Sequence, residues 1–173
     1  GSSDGTVVVS VAAGTATDVS SNSNIASNTC TFTVDTVHPI PIITSSTDSN
    51  GSTVSDLTLS YTVTFSKPVS DFAVGDITVT GTANGGSPAA SNFAGSGATY
   101  TFDVVRGSSD GTVVVSVAAG TATDAAGNDN TVSNTYILTI DTVNPTITIS
   151  STTSCGSTVD DTTLNYTVTF SEP

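Results

Sequence analysis

From Leu57 to Phe65 apolar and hydroxyl side chains alternate without a break. Leu57, Leu59, Tyr61, Val63 and Phe65 fall on one face, and Thr58, Ser60, Thr62 and Thr64 on the other. That period of two predicts a half-buried antiparallel strand. The same period, read onward and back, marks further strands. Ile40 to Ser46 predicts a first strand, and Pro41 assigns it to a sheet edge because proline cannot donate to a ladder. Asp76 to Thr82 follows, with Ile77 and Val79 inward, and beyond the NGGSPAAS loop at 84–91 a short run covers Asn92 to Ala94. Tyr100, Phe102 and Val104 form the inward face of the next strand. Val113, Val115 and Val117 form another after an SSDG turn, and Tyr136, Leu138 and Ile140 close the series. No stretch carries helical periodicity. The pattern predicts an all-β chain.

An internal repeat sets the organisation. Residues 107–124 read GSSDGTVVVSVAAGTATD, letter for letter the same as residues 1–18, 106 positions earlier. Asp35 and Pro39 in VDTVHP recur as Asp141 and Pro145 in IDTVNP. Past the proline one residue is lost, so that Tyr61 in LSYTVTFSKP aligns with Tyr166 in LNYTVTFSEP. The unit is about 106 residues, an ordinary domain size. The expected organisation is residues 1–35 as the back part of a preceding repeat, 36–141 as one complete repeat, and 142–173 as the front part of a following one. An excerpt from a longer tandem array is the arrangement this predicts.

Composition removes several classes of function. Two basic residues against 15 acidic ones give a net charge of −13. Lys67 and Arg106 cannot supply the phosphate-neutralising surface that nucleic-acid binding requires, nor hold the chain on an anionic membrane. No apolar run reaches the roughly 20 residues that span a bilayer, and no basic-then-apolar leader opens the chain. At 36% hydrophobic residues and a mean hydropathy of +0.16, the chain is too apolar for a disordered acidic tail. Its Val, Ile and Thr suit a pleated surface.

Seven short strands within about 100 residues read as an immunoglobulin-like β-sandwich. The strings DTVNPTITISS, LNYTVTFSEP, VSDFAVGDITVTG, SNFAGSGATYTFDV and SSDGTVVVSVAAGTATDAAGN, with the return to a D-T-x-x-P linker, resemble bacterial Ig-like repeats. The resemblance runs over essentially the whole chain. It implies tandem sandwiches of about seven antiparallel strands per repeat, acting as spacer or stalk modules of large extracellular adhesins and not as an enzyme. Calcium at the junctions between repeats is common in comparable arrays.

Candidate chemistry lies first in the carboxylates. In such a sandwich the N-terminus shares one end with the second-to-third and sixth-to-seventh strand loops. The first junction would gather Asp4, Asp35, Asp71 and Asp124 with Asn128 or Asp129. The second would gather Asp110 and Asp141, with Asp48 or Asp56. Calcium takes six to eight oxygens without strict geometry, so loops of two repeats could share an ion. The same aspartates also read as turn residues and solubilising charge, and no D-x-[DN]-x-[DN]-G loop is present.

Other residues leave alternatives open. Cys30 aligns with inward-facing Tyr136, and Cys155 with Asn50 in a turn. Neither has a partner within the chain, so each is either an unpaired thiol or a site of an inter-chain or inter-repeat disulfide. Asn50-Gly51-Ser52 and Asn165-Tyr166-Thr167 are N-glycosylation sequons, Asn50 the more accessible in its turn. Outward threonines such as Thr62, Thr64, Thr99 and Thr101 are ordinary strand residues. Arg106 is placed to hold Asp110 or a neighbour. The single histidine, His38, lies in the linker, and no nucleophile has a base beside it, so no catalytic site is predicted.

The reading that results is a structural repeat of a long extracellular filament or giant surface adhesin, a rigid spacer or assembly unit. Its partners would be neighbouring repeats and laterally packed copies. The alternative is a module that binds a glycan or receptor. Aromatic platforms would mark that alternative, whereas Tyr61, Tyr100 and Tyr136 all fall on inward faces.

Overall fold

A computed structural model describes residues 4–83, 89–160 and 162–173. The strands are β1 (Gly5–Val9), β2 (Cys30–Val34), β3 (Pro41–Ser45), β4 (Thr53–Val54), β5 (Thr58–Val69), β6 (Ile77–Gly81), β7 (Ala90–Val105), β8 (Gly111–Val117), β9 (Tyr136–Ile140), β10 (Ile147–Ser151) and β11 (Tyr166–Phe170). The only helical element among the described residues is a 3-10 turn at Val74–Asp76.

Two sheets build the central unit. One runs β3-β5-β7 and the other β4-β9-β8-β6. All pairings within them are antiparallel except one, because short β4 lies parallel to β9 through Thr53 and Val54. A strand not predicted from the sequence, β4, is only two residues long and has no readable period. The run at Asn92–Ala94 falls within the span Ala90–Val105 (β7), whose chain doubles back at Gly95–Gly97, where Gly97 takes a φ of +66°. Asn92 Nδ2 donates to Asp103 Oδ2 at 2.9 Å and Phe93 stacks on Tyr100 with centroids 5.5 Å apart, so Asn92–Ala94 is an arm of its own beside the Tyr100 strand, as the pattern predicts. The register between β5 and β7 breaks between Thr64 and Val69, next to this reversal. The first part of the 84–91 loop lies outside the described residues.

The core sits between the sheets. Val113, Val115 and Val117 of β8 are fully buried, as are Leu59, Tyr61, Val63 and Phe65 of β5. Leu57, expected on the same face, precedes β5 and is exposed, because the facing sheet no longer covers the chain there. Tyr61 stacks on Phe102 with centroids 5.3 Å apart and meets the edge of Tyr136 at 5.5 Å. Phe65, Phe72, Phe93 and Tyr100 form a second aromatic group.

The Tyr61 hydroxyl is buried without a hydrogen-bond partner, and burial pushes its ionisation well up. An unpaired buried hydroxyl costs roughly 1–3 kcal/mol. Tyr61→Phe, which keeps the ring contacts, should therefore raise stability by about 1 kcal/mol. Chemical denaturation checks this, and a loss of stability would show that the hydroxyl has a partner.

The predicted edge strand is one. β3 stands at the end of its sheet with Pro41 in it. Its outer side is covered by a side chain: the Asn134 amide accepts from the Ile43 N–H at 2.7 Å and donates to the Ile43 carbonyl at 3.0 Å, filling the place of a neighbouring strand.

The repeat in sequence is a repeat in geometry. β1 pairs with β2 in the register in which β8 pairs with β9, from Gly5↔Val34 and Gly111↔Ile140 onward. β10 pairs with β11 as β3 pairs with β5. The Ser45–Thr47 bond recurs at Ser151–Thr153, so the residue lost between copies falls in the turn after β3. The two outer hairpins carry no second sheet among the described residues, so Phe32, Ile149 and Phe170 are exposed. Cys30 is exposed for the same reason, although its Tyr136 counterpart is buried.

Candidate functional site

The site is the joint formed by residues 35–40, which connect β2 to β3. Lys67, near the end of β5, points its ammonium into this segment. Nζ donates to Asp35 Oδ1 at 2.7 Å and Oδ2 at 2.9 Å, to the Val37 carbonyl at 2.6 Å, and to Asp124 Oδ2 at 3.1 Å. The Asp124 side chain is only 4% exposed, so its charge would be costly without this partner.

Asp124 reaches that position because it organises its own turn between β8 and β9. Its Oδ1 accepts from the Ala126 and Asn128 N–H groups, both at 2.9 Å, and Gly127 takes a φ of 86°. The preceding copy builds the same turn: Asp18 Oδ1 accepts from Ser20 and Asn22 N–H, and Ser21 adopts a φ of 67° where the later copy has glycine. The Asn128 amide then bridges turn and linker, donating to the Asp35 carbonyl at 3.1 Å and to Asp124.

Further contacts strap the linker down. The Thr131 N–H donates to the Pro39 carbonyl at 2.9 Å, and the His38 ring nitrogen Nδ1 pairs with the Asp129 carbonyl at 2.6 Å. Pro39 itself is fully buried. From the other side, Asp4 at the start of the β1 hairpin accepts from the Thr36 N–H and hydroxyl at 2.8 and 2.7 Å. The linker is thus held by the element before it and the sandwich after it. Fixed φ at proline adds to this.

The predicted carboxylates separate into distinct local roles. Asp110 repeats the Asp4 arrangement on Thr142, at 2.9 and 2.7 Å. Asp71 accepts from the Thr123 N–H at 2.7 Å and hydroxyl at 3.0 Å, tying the loop after β5 to the loop after β8. Asp141 accepts from the Val143 N–H at 3.1 Å, as Asp35 does from Val37. Asp129 contributes its main-chain carbonyl, not its carboxylate, to His38. Asp48 accepts from the Thr47 hydroxyl. Only Asp35 and Asp124 converge, and they converge on Lys67. Among the described residues no group of three or more His, Cys, Asp or Glu stands where it could hold a metal ion. Calcium needs six to eight oxygens, and here Asp124 Oδ1 and Asp4 Oδ1 are already taken by N–H groups and a hydroxyl. With the Lys67 ammonium in place, the oxygens left over at this joint do not make up the shell of a shared calcium ion.

Among the described residues Arg106 holds neighbouring main chain rather than Asp110. Its guanidinium donates to the carbonyls of Asp56 at 2.6 Å, Ser55 at 2.8 Å and Gly107 at 2.9 Å, because the β4–β5 connection passes beneath it. Asn50 is exposed, but its amide is engaged with β9, donating to the Thr135 carbonyl at 3.1 Å and accepting from the Ile137 N–H at 2.8 Å. Asn165 is exposed just before β11. Cys155 is exposed in the turn after β10.

Hydrogen bonding holds several carboxyls below their ordinary range. The Asn128 N–H is the main cause at Asp124, with Asn128's amide and Lys67 adding to it. The Thr36 hydroxyl acts on Asp4, the Thr123 N–H on Asp71, and the Asn92 amide on Asp103. The bond to Asp35 raises Lys67. A depressed carboxyl stabilises the fold above its unfolded value near 3.9, and that contribution is lost as pH falls through the folded value. A raised lysine stabilises below its unfolded value near 10.4 and loses this as pH rises through the folded one. Melting temperature should therefore be flat from about pH 5 to 9 and fall only below about pH 4 or above about pH 10. A marked decline between pH 7 and 5 would contradict this.

Two antiparallel-built sheets closed over one apolar core, with loops of one end clamped to the entering linker, define an immunoglobulin-like sandwich module. A model of the bacterial Ig-like domain matches residues 35–140, and the chain belongs to that family. No curated protein and no solved structure matches it significantly. Domains of this family are structural or binding modules.

Asn130, Ser133 and Asn134 were not singled out by pattern or charge. The signal available was the comparison of the two copies. Where the segments 19–28 and 125–134 differ at most positions, Asn22, Asn24, Ser27 and Asn28 are matched by Asn128, Asn130, Ser133 and Asn134.

Proposed function

We propose that the chain is a rigid spacer, a structural repeat of a long extracellular filament or surface adhesin stalk. The observation that carries this reading is the clamped linker: residues 35–40 are bonded to Asp4 on one side and to Lys67, Asn128, Asp129 and Thr131 on the other. A chain that passes from one module to the next without a slack segment transmits orientation, so length adds up along an array. Abundant negative charge keeps neighbouring arrays from collapsing on one another. No helix among the described residues is long and apolar enough to cross a membrane. The partners in this reading are neighbouring repeats, with laterally packed copies where arrays bundle. Calcium serves those joints that lack a lysine, and exposed Cys155 is where a cross-link would form, since the Tyr136 counterpart of Cys30 is buried in the complete unit. A glycan- or receptor-binding role has less support, since Tyr61, Tyr100 and Tyr136 are buried.

Small-angle scattering on arrays of increasing copy number tests the spacer. The maximum dimension should grow in proportion to copy number. Growth nearer the square root of copy number would mean a flexible string and would overturn the reading.

A further inference from the structure

The position of Lys67 in the repeat has a counterpart of opposite charge. SKP at 66–68 aligns with SEP at 171–173, so Glu172 stands in the following copy where Lys67 stands in this one. The linker side of the cradle recurs: Asp141 matches Asp35, Val143 matches Val37, and both aspartates accept from the N–H two residues on at 3.1 Å. The joint before the complete unit therefore has a built-in cation, and the aligned position of the next has a carboxylate.

We infer that the Lys67 ammonium is the structural cation of its joint, locking linker to sandwich without metal, and that joints along the chain are of two electrostatic kinds. The geometry supports the substitution. Four oxygens surround Nζ at 2.6–3.1 Å: two from Asp35, one main-chain carbonyl and one from buried Asp124. That is a hard-oxygen cradle of the sort a bare cation would occupy, already filled by a tethered charge. Charge-assisted bonds to two carboxylates on different elements pull residue 35, β5 and the β8–β9 turn into one arrangement. Tethering removes any dependence on free cation concentration, since an ion bound from solution contributes only as its concentration exceeds its dissociation constant. Glu172 cannot act this way; it adds repulsion that only an external cation could offset. The inference concerns the joint itself and holds for a spacer or a binding module alike.

The test uses the full chain, with amide hydrogen exchange of residues 36–38, 40 and 131 read in calcium and in chelator. In the unaltered protein these amides should exchange at the same rate in both conditions. Lys67→Met, which keeps the apolar stem, should speed their exchange about tenfold in both, while core amides of β5 and β8 stay protected. Lys67→Glu, which copies the next repeat, should speed it in chelator and recover on adding calcium. Lys67→Arg should retain protection. Protection of the unaltered joint that falls in chelator would overturn the inference, as would Lys67→Met with unchanged linker exchange. If core protection is lost in Lys67→Met, the arginine and glutamate variants still decide: calcium-insensitive loss in the glutamate variant, or full loss in the arginine variant, would also overturn it.

Discussion

Asn130→Ala should remove about 3 kcal/mol or more from the central unit, with the melting temperature falling by roughly 15 °C. The side chain is 2% exposed. Its Oδ1 accepts from the Thr121 N–H at 2.9 Å and the Ala122 N–H at 2.8 Å, and its Nδ2 donates to the carbonyls of Ala118 at 2.8 Å and Thr131 at 2.7 Å. Both donor hydrogens and both acceptor sites of the amide are used. Alanine leaves those four main-chain groups facing one another or an empty space, each unsatisfied group costing about 1 kcal/mol or more. Asn130→Asp is nearly the same shape but turns two donors into an acceptor opposite two carbonyls, so it should be comparably harmful. The counterpart Asn24 makes the same bonds, to Ala16 N–H at 2.8 Å and to the carbonyls of Ala12 and Ile25 at 2.9 and 2.8 Å. Thermal and denaturant unfolding measure the loss; a change under about 1 kcal/mol would mean water replaces the amide.

Gly81→Ala is the second large effect. Gly81 ends β6 with a φ of +127°, and a Cβ there would lie 2.0 Å from the Thr112 carbonyl oxygen and 2.7 Å from its carbon. Both obstacles are main chain of β8. That carbonyl already accepts from the N–H groups of Thr82 at 2.9 Å and Ala83 at 3.1 Å, so two residues face one as in a bulge. The added methyl must push β6 and β8 apart or flip the backbone, and either breaks that shared acceptor. The cost should be about 3 kcal/mol or more. Gly75→Ala is the control: it has ordinary φ and open space around it, and should change stability by less than about 0.5 kcal/mol. Equal effects of the two substitutions would refute the steric account.

Much of the fold was legible because it depends on local alternation. Leu59, Tyr61, Val63 and Phe65 are buried on the predicted face, and Pro41 lies on the predicted edge. The Asn92–Ala94 run was legible as an arm apart from the Tyr100 strand because Gly95 and Gly97 mark the reversal between them. The site was legible only in part. Topology correctly brought the linker, the loop after β5 and the loop after β8 to one end, but predicted a pool of carboxylates there. Asp4, Asp71 and Asp110 instead each serve one threonine, an interaction over 32 or 52 residues that spacing alone cannot reveal.

The sequence by itself determined the net charge of −13, the repeat of about 106 residues, the all-β class and the inward faces of β5, β8 and β9, since each follows from composition, identity or a period of two. Tertiary structure decided where the charges go. Lys67 and Asp35 are 32 residues apart and Lys67 and Asp124 57 apart, yet they meet within about 3 Å. Only the closure of two sheets brings such distant positions together. A lone lysine among many aspartates has no preferred partner in the sequence; it acquires two because Asp124 is fixed by its turn and Asp35 by the linker that Pro39 anchors in the sandwich.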